Sequence, residues 1–221
     1  MASDGQAGGS AREQYQRKIK ARHEQRLRFF GPKLGKFLNR VFPNSNDAKS
    51  WEKGFRGETE VGKFLDEFAE ANNFAVLHDR KIPGRKSNID HILVSDRGVF
   101  VIDAKNYRGL IEIRDTGSIL RSKETLFIGG RNQSKLVDGL NMQINAVHDQ
   151  ISKSNFEIEV RGILAFVGGE FPKFFKPKEI EGVLINSRGL AETINTQKVL
   201  PSFDIDSVSD FLREKFPRKT N

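Results

Sequence analysis

The chain has 221 residues, 37% of them hydrophobic, and contains no cysteine. That length suits one domain of ordinary size with additions, and the missing thiols exclude disulfides and thiolate chemistry and fit a reducing compartment. The net charge of +8 is unevenly spread: residues 1–40 hold 10 Lys and Arg against 3 Asp and Glu, so the remainder is almost balanced.

Residues 1–11 lack the basic start and apolar centre of a secretion signal, and no apolar run is long enough to span a bilayer. The expectation is therefore a soluble, cytoplasmic protein. Residues 1–10 are rich in Gly, Ser and Ala and read as disordered. A strongly basic helix is predicted from Ala11 to Phe30, ended by Gly31-Pro32. Pro32 can open a second short helix, in which Leu34, Phe37, Leu38, Val41 and Phe42 form an apolar stripe. Such an arm suits nucleic acid through counterion release and, as a lesser reading, an anionic membrane; a merely solvated helix has the same pattern. The stripe is expected to dock on the domain. Pro43 to Ser50 reads as a linker, which makes residues 1–50 an arm and residues 51–221 the globular domain.

A helix is predicted from about Trp51 to Asn72, with Val61, Phe64, Leu65 and Phe68 as its buried stripe. Gly54 and Gly57 share that face, Glu58 lies at its border, and Glu60 projects into solvent. A strand follows from Phe74 to Ile82, then the turn "PGRKS". The stretch "SNIDHILVSDRGVFVIDAKN" reads as two apolar strands around the turn "SDRG". Further strands are expected at Gly109–Arg114 and in a hairpin over Ile119–Ile128, then a helix from Lys135 to Lys153. "EVRGILAFVGG" is an apolar strand, Val183–Asn186 a short one, and Asp204–Phe216 a closing helix. This order implies an α/β fold with a mixed central sheet covered by helices on both faces.

The chemistry concentrates in the two apolar strands. Strand side chains alternate between faces, so Asp103 and Lys105 share a face with Val99 and Val101, and Asp90 shares one with Ile92 and Val94. If Asp96-Arg97 is a two-residue turn, Asp90 lies directly across from Asp103. A three-residue loop ending at Gly98 would move them out of line. Two carboxylates side by side repel one another unless a divalent cation lies between them, and carboxylate oxygen suits Mg²⁺ or Mn²⁺. A lysine beside them serves an attacking water or neutralises an oxyanion; as a simple ion-pair partner of Asp103 it would look the same. Glu58 is positioned to reach the pair from the helix. His91 follows Asp90 and is expected to face the other way, as a packed, hydrogen-bonded histidine. Arg85, Lys86, Arg108 and the basic loop "GGRNQSK", with Arg131, are candidates for a phosphate backbone. "GGEF", Gly168 to Phe171, is one acidic residue short of the cyclic-dinucleotide cyclase signature and reads as a strand-end turn.

The segment "GFRGETEVGKFL" and the run "VLHDRKIPGRKSNIDHILVSDRGVFVIDAKNYRGLIEI" together resemble the NERD, or nuclease-related, domain of the PD-(D/E)XK nuclease superfamily. The resemblance spans roughly Trp51 to Ile151, with the strand Val160–Val167 continuing the core. It implies a restriction-endonuclease-like α-β-β-β-α-β core and a Mg²⁺- or Mn²⁺-dependent deoxyribonuclease, with DNA ahead of RNA as partner. In that reading Asp90, Asp103, the carbonyl of Ala104 and Glu58 serve the metal, and Lys105 serves the water. The family's Asn-Pro-x-x-Gln-like patch is only loosely matched by "NMQINAVH", where Met142 stands in the proline position; Gln143 would contact the site or the nucleic acid. The alternatives are a nucleic-acid-binding module that does not cut, or a membrane- or partner-associated regulator using the Leu34–Phe42 stripe. The oligomeric state stays open, a dimer included.

Overall fold

A tight hairpin sets the geometry of the whole sheet. In the computed structural model, which describes residues 46–118, 121–172, 179–186 and 189–219 with side chains from residue 58 onward, strand β2 (Asn88–Ser95) turns at Asp96-Arg97 into β3 (Gly98–Asn106), with β1 (Ala75–Lys81) on the far side of β2. Ser95 pairs with Gly98, Val94 with Val99 and Ile92 with Val101, so the two-residue turn is the one formed. Gly98 closes it at φ 109°, a conformation that β-carbon sterics oppose.

The chain then leaves the sheet to build a second one. Strands β4 (Ile111–Asp115), β5 (Glu124–Ile128) and β6 (Arg131–Asn132) pair antiparallel in the order β4-β5-β6. The hairpin expected within Ile119–Ile128 is thus corrected: β5 pairs with β4 on one side and, through the Gly129-Gly130 turn, with β6 on the other. Residues 119 and 120 lie outside the described residues. Helix α2 (Ser134–Ile151) carries the chain back to β7 (Val160–Val167), which lies parallel to β3. Two short strands, β8 (Glu179–Ile180) and β9 (Val183–Ile185), complete a six-stranded mixed sheet in the order β1-β2-β3-β7-β9-β8. Helices α3 (Leu190–Asn195) and α4 (Ile205–Lys215) follow. Neither β8 nor α3 is marked in the sequence by a periodic run long enough to read.

The first helix, α1, covers Asn46–Asn72, so the last five residues of the expected linker are helical instead. The basic arm and its apolar stripe lie outside the described residues, as do the side chains at positions 54 and 57. No described helix is long and apolar enough to cross a membrane.

Alternation along the strands divides the core into two layers. Val76, Leu93, Phe100 and Ile102 face α1 and α3, packing on Val61, Leu65, Ala69, Leu190 and Ile194. Leu77, Ile92, Val99 and Val101 face α2 and α4, packing on Val137, Leu140, Val147, Val208 and Leu212. Each fully buried aliphatic or Phe side chain contributes about 1.5–3 kcal/mol. This two-sided cover is why the central strands read as continuous apolar runs. The mixed sheet flanked by helices is the arrangement expected from the element order, and it is consistent with the restriction-endonuclease-like core that the family resemblance implies.

Gly98→Ala tests the hairpin. A β-carbon there would stand 2.7 Å from the carbonyl oxygen of Glu159, on top of the unfavourable φ. Chemical denaturation of the variant should show a loss of roughly 1–3 kcal/mol; unchanged stability would mean that the turn is built differently.

Candidate active site

The apolar pattern of the β2–β3 hairpin breaks at the end where β2 starts and β3 finishes. His91 pairs with Ile102, so the next pair in register is Asp90 with Asp103. The side chain of Asp103 is 7% exposed, and its Oδ1 accepts from the Lys105 ammonium at 2.5 Å. Asp90 Oδ2 accepts from the backbone N–H of Ala104 at 3.2 Å, which aims the carboxyl across the hairpin. Both acids stand on the face that Ile92 and Val101 occupy further in. Lys105 is thus an ion-pair partner of Asp103 and also lies close enough to Asp90 to interact with its charge.

Two further acids join them. The pairs His78–His91 and Arg80–Ile89 place Asp79 of β1 across from Asp90. Asp79 is buried and has φ 55°, in the left-handed region that Asp tolerates better than most residues. Half-buried Glu58 arrives from α1 and interacts with Asp79, Asp103 and Lys105. Burial, Asp79 and Asp103 raise the Glu58 carboxyl to about 7, against the opposing pull of Lys105. Burial and the charges of Asp103 and Glu58 also hold Asp90 well above the usual carboxylate range. Burial works against the charge of Lys105, but Asp103, Asp90 and Glu58 outweigh it and raise its pKa. A charged lysine among acids reluctant to ionise is the electrostatic signature of a site short of positive charge.

The family model for the nuclease-related domain matches residues 53–167, just over half of the chain. The chain belongs to the NERD family. An uncharacterized protein of Bacillus anthracis is 35% identical over 81 residues, covering 33% of this chain and 38% of the relative. The chain therefore spans little more than a third of that relative's length. No solved structure matches.

Around the NERD hairpin, the other residues singled out from the sequence fall into two groups. Arg85 and Lys86, in the β1–β2 turn, and Arg108, just past β3, are exposed at the same end of the sheet as Asp90 and Asp103. Arg131 is exposed beside Gly129, whose nitrogen donates to the carbonyl of Leu110, so the glycine-rich turn folds back onto that end. "GGEF" is a strand-end turn, and Glu170 exchanges backbone hydrogen bonds with Gly109 and Ile111 to tie β7 to the small sheet. Gln143 lies on the buried stripe of α2, which packs on the sheet face carrying Asp103. Its Oε1 is buried and without a hydrogen-bond partner among the described residues. His91 belongs to the other face. Its Nδ1 lies 2.7 Å from Nδ1 of His78, whose Nε2 donates to Asp66 of α1 at 2.8 Å. Burial holds His91 far below its usual pKa, so it is a neutral packing residue.

Asp79 went unremarked in the sequence. Its signal was the parity of "HDR" against "IDH", legible only once β1 and β2 are put in register.

The donor set suits a hard divalent cation. The carboxyls of Glu58 and Asp90, whose ionisation is opposed by burial and by neighbouring acids, with Asp103 beside them and the buried Gln143 amide oxygen unpaired among the described residues, are oxygen donors of the kind Mg²⁺ and Mn²⁺ take. Among the described residues no three His, Asp or Glu side chains form a ready cage; Asp103 holds Lys105, and Asp90 accepts from the Ala104 N–H. The fit lies in the chemistry of the donors.

The raised carboxyls predict an inverted pH response. Glu58 is protonated more readily in the fold than in the unfolded chain, so its favourable contribution is present at low pH and lost as pH rises from about 4.5 to about 7. Thermal melts in EDTA should show stability falling across that window, and Glu58→Gln should flatten the fall. A parent protein whose melting point is unchanged or rises there would contradict the electrostatic picture.

Proposed function

We propose that this NERD protein is a divalent-metal-dependent nuclease that hydrolyses phosphodiester bonds in DNA. The observation that carries the reading is the face-to-face placement of Asp90 and Asp103 on one sheet face, with Lys105 on Asp103 and Glu58 reaching in from α1. Asp90, Asp103, Glu58 and the carbonyl of Ala104 would hold the cation. A bound Mg²⁺ or Mn²⁺ supplies Lewis-acid neutralisation of phosphoryl oxygens and makes bound water a stronger nucleophile.

The chain's own residues account for the rest. Asp103 fixes the Lys105 ammonium, whose remaining donors are free to orient a water or meet charge developing on the phosphate. Gln143 offers an acceptor toward the same side. Arg85, Lys86 and Arg108, exposed at that end of the sheet, and Arg131 near the turn that folds back onto it, would provide sequence-independent phosphate contacts. In this reading residues 51–221 form the catalytic unit and the basic arm, residues 1–50, adds to nucleic-acid affinity.

Digestion of plasmid, single-stranded DNA and RNA with Mg²⁺, Mn²⁺ or EDTA tests the proposal. Cleavage of DNA should require metal. Lys105→Ala should lower it roughly a hundredfold or more, the scale for losing one preorganised catalytic group, while DNA binding measured in Ca²⁺ changes little. Lys105→Arg should not restore it, because a planar guanidinium does not reproduce an ammonium's position. If Lys105→Ala cuts as fast as the parent, Lys105 is an ion-pair partner and the mechanism is wrong.

A further inference from the structure

After the closing helix the sequence runs "FPRK", Phe216 to Lys219. The structure gives it a defined place. Phe216 is buried at the C-terminus of α4 and turns the chain toward the outer edge of β1. Pro217 has no N–H to offer a ladder, which is tolerated at a sheet edge, and its carbonyl accepts from Lys81 at 3.0 Å. Arg218 forms an antiparallel bridge with Arg80. The N–H of Lys219 then donates to the carbonyl of Asp79 at 3.2 Å. The tail thus pairs in strand-like fashion with Asp79, Arg80 and Lys81, covering the last part of the free edge of β1.

Register has a consequence for the site. With Arg218 across from Arg80, Lys219 lies across from Asp79, which lies across from Asp90, which lies across from Asp103. Four strands contribute one residue each to a single row. Lys219 is half-buried there and close enough to Glu58 to favour its ionised form. Lys105, at the other end of the row, is already engaged by Asp103. A polyanionic substrate approaching four carboxyls needs cations on both flanks.

We infer that Lys219 is a substrate-binding residue of this site, holding a backbone phosphate beside the scissile one. The inference rests on the nuclease reading and adds to it a residue more than fifty positions beyond the family match. Its ammonium has three donors and a flexible stem, which suits a phosphate oxygen without demanding a fixed geometry. The strand that carries it pairs through the backbone, so replacing the side chain leaves the tail in place.

The experiment compares the full-length parent with Lys219→Ala and Lys219→Arg. Binding of a DNA duplex is titrated in Ca²⁺ at several salt concentrations, and cleavage kinetics are measured in Mg²⁺ or Mn²⁺. Lys219→Ala should weaken binding roughly tenfold, the scale of one hydrogen bond to a charged group. It should also make the salt slope shallower by about one phosphate contact. The loss in cleavage should appear mainly in KM, and Lys219→Arg should recover the salt slope. A lysine that merely neutralises Glu58 and Asp79 would leave the slope at the parental value. An unchanged slope and KM in Lys219→Ala, with an active parent, overturns the inference alone. A parent that neither binds nor cuts DNA overturns the nuclease reading and the inference with it, and is recognised before any substitution is made.

Discussion

Two carboxyl groups held side by side on one face of a β-hairpin repel each other, and most of this structure can be understood as what keeps Asp90 and Asp103 there regardless. The repulsion could be relieved by a slip of one residue, which would send one acid to the opposite face. The Asp96-Arg97 turn prevents the slip, and so do Ile92, Val94, Val99 and Val101, all wholly buried between the sheet and α2 or α4. A slip would carry these apolar residues to the wrong layer as well, at a cost well above that of one like-charge pair. The acids are therefore held by the packing of residues that take no part in the chemistry.

The strain left over is expressed as protonation. Asp90 and Glu58 hold their protons more tightly than ordinary carboxyls, while Lys105 holds its charge more tightly than an ordinary lysine. The site thus favours added positive charge over added negative charge. The two faces of the hairpin divide the work. The acids open toward the end of the sheet on the α2 side. The buried His78–His91 pair ties β1 and β2 to Asp66 of α1 on the other. That tie links the helix carrying Glu58 to the strands carrying Asp79 and Asp90.

The segments beyond the family match also bear on the site. Strand β9 extends the sheet from β7, and α3 and α4 seal the two apolar layers. The tail after α4 covers the edge of β1 from Asp79 to Lys81, backbone groups that would otherwise be open to pairing with another chain. Edge protection and the delivery of Lys219 follow from the same few hydrogen bonds.

Much of this was legible in the residues themselves. Period-two alternation fixes which side chains of β2 and β3 share a face, and a two-residue turn at Asp96-Arg97 would bring Asp90 and Asp103 together, but the competing three-residue loop is excluded only by the register of the folded hairpin. The stripe Val61, Leu65 with half-buried Phe64 and Phe68 gives the packing face of α1 and the border position of Glu58. These are local patterns, set by strand and helix geometry within a few residues. What only the tertiary structure decided depends on which strand lies beside which. Asp79 joins the row because β1 pairs with β2 in one register, β4–β6 form their own sheet rather than extend the main one, and Lys219 reaches the acids because a proline-led tail finds the free edge of β1. The strand β8 and helix α3 are too short to show a period, and their existence rests on the surfaces they cover. Pairing between distant segments is chosen by the burial of whole layers, a property of the folded sheet that no short window of sequence contains.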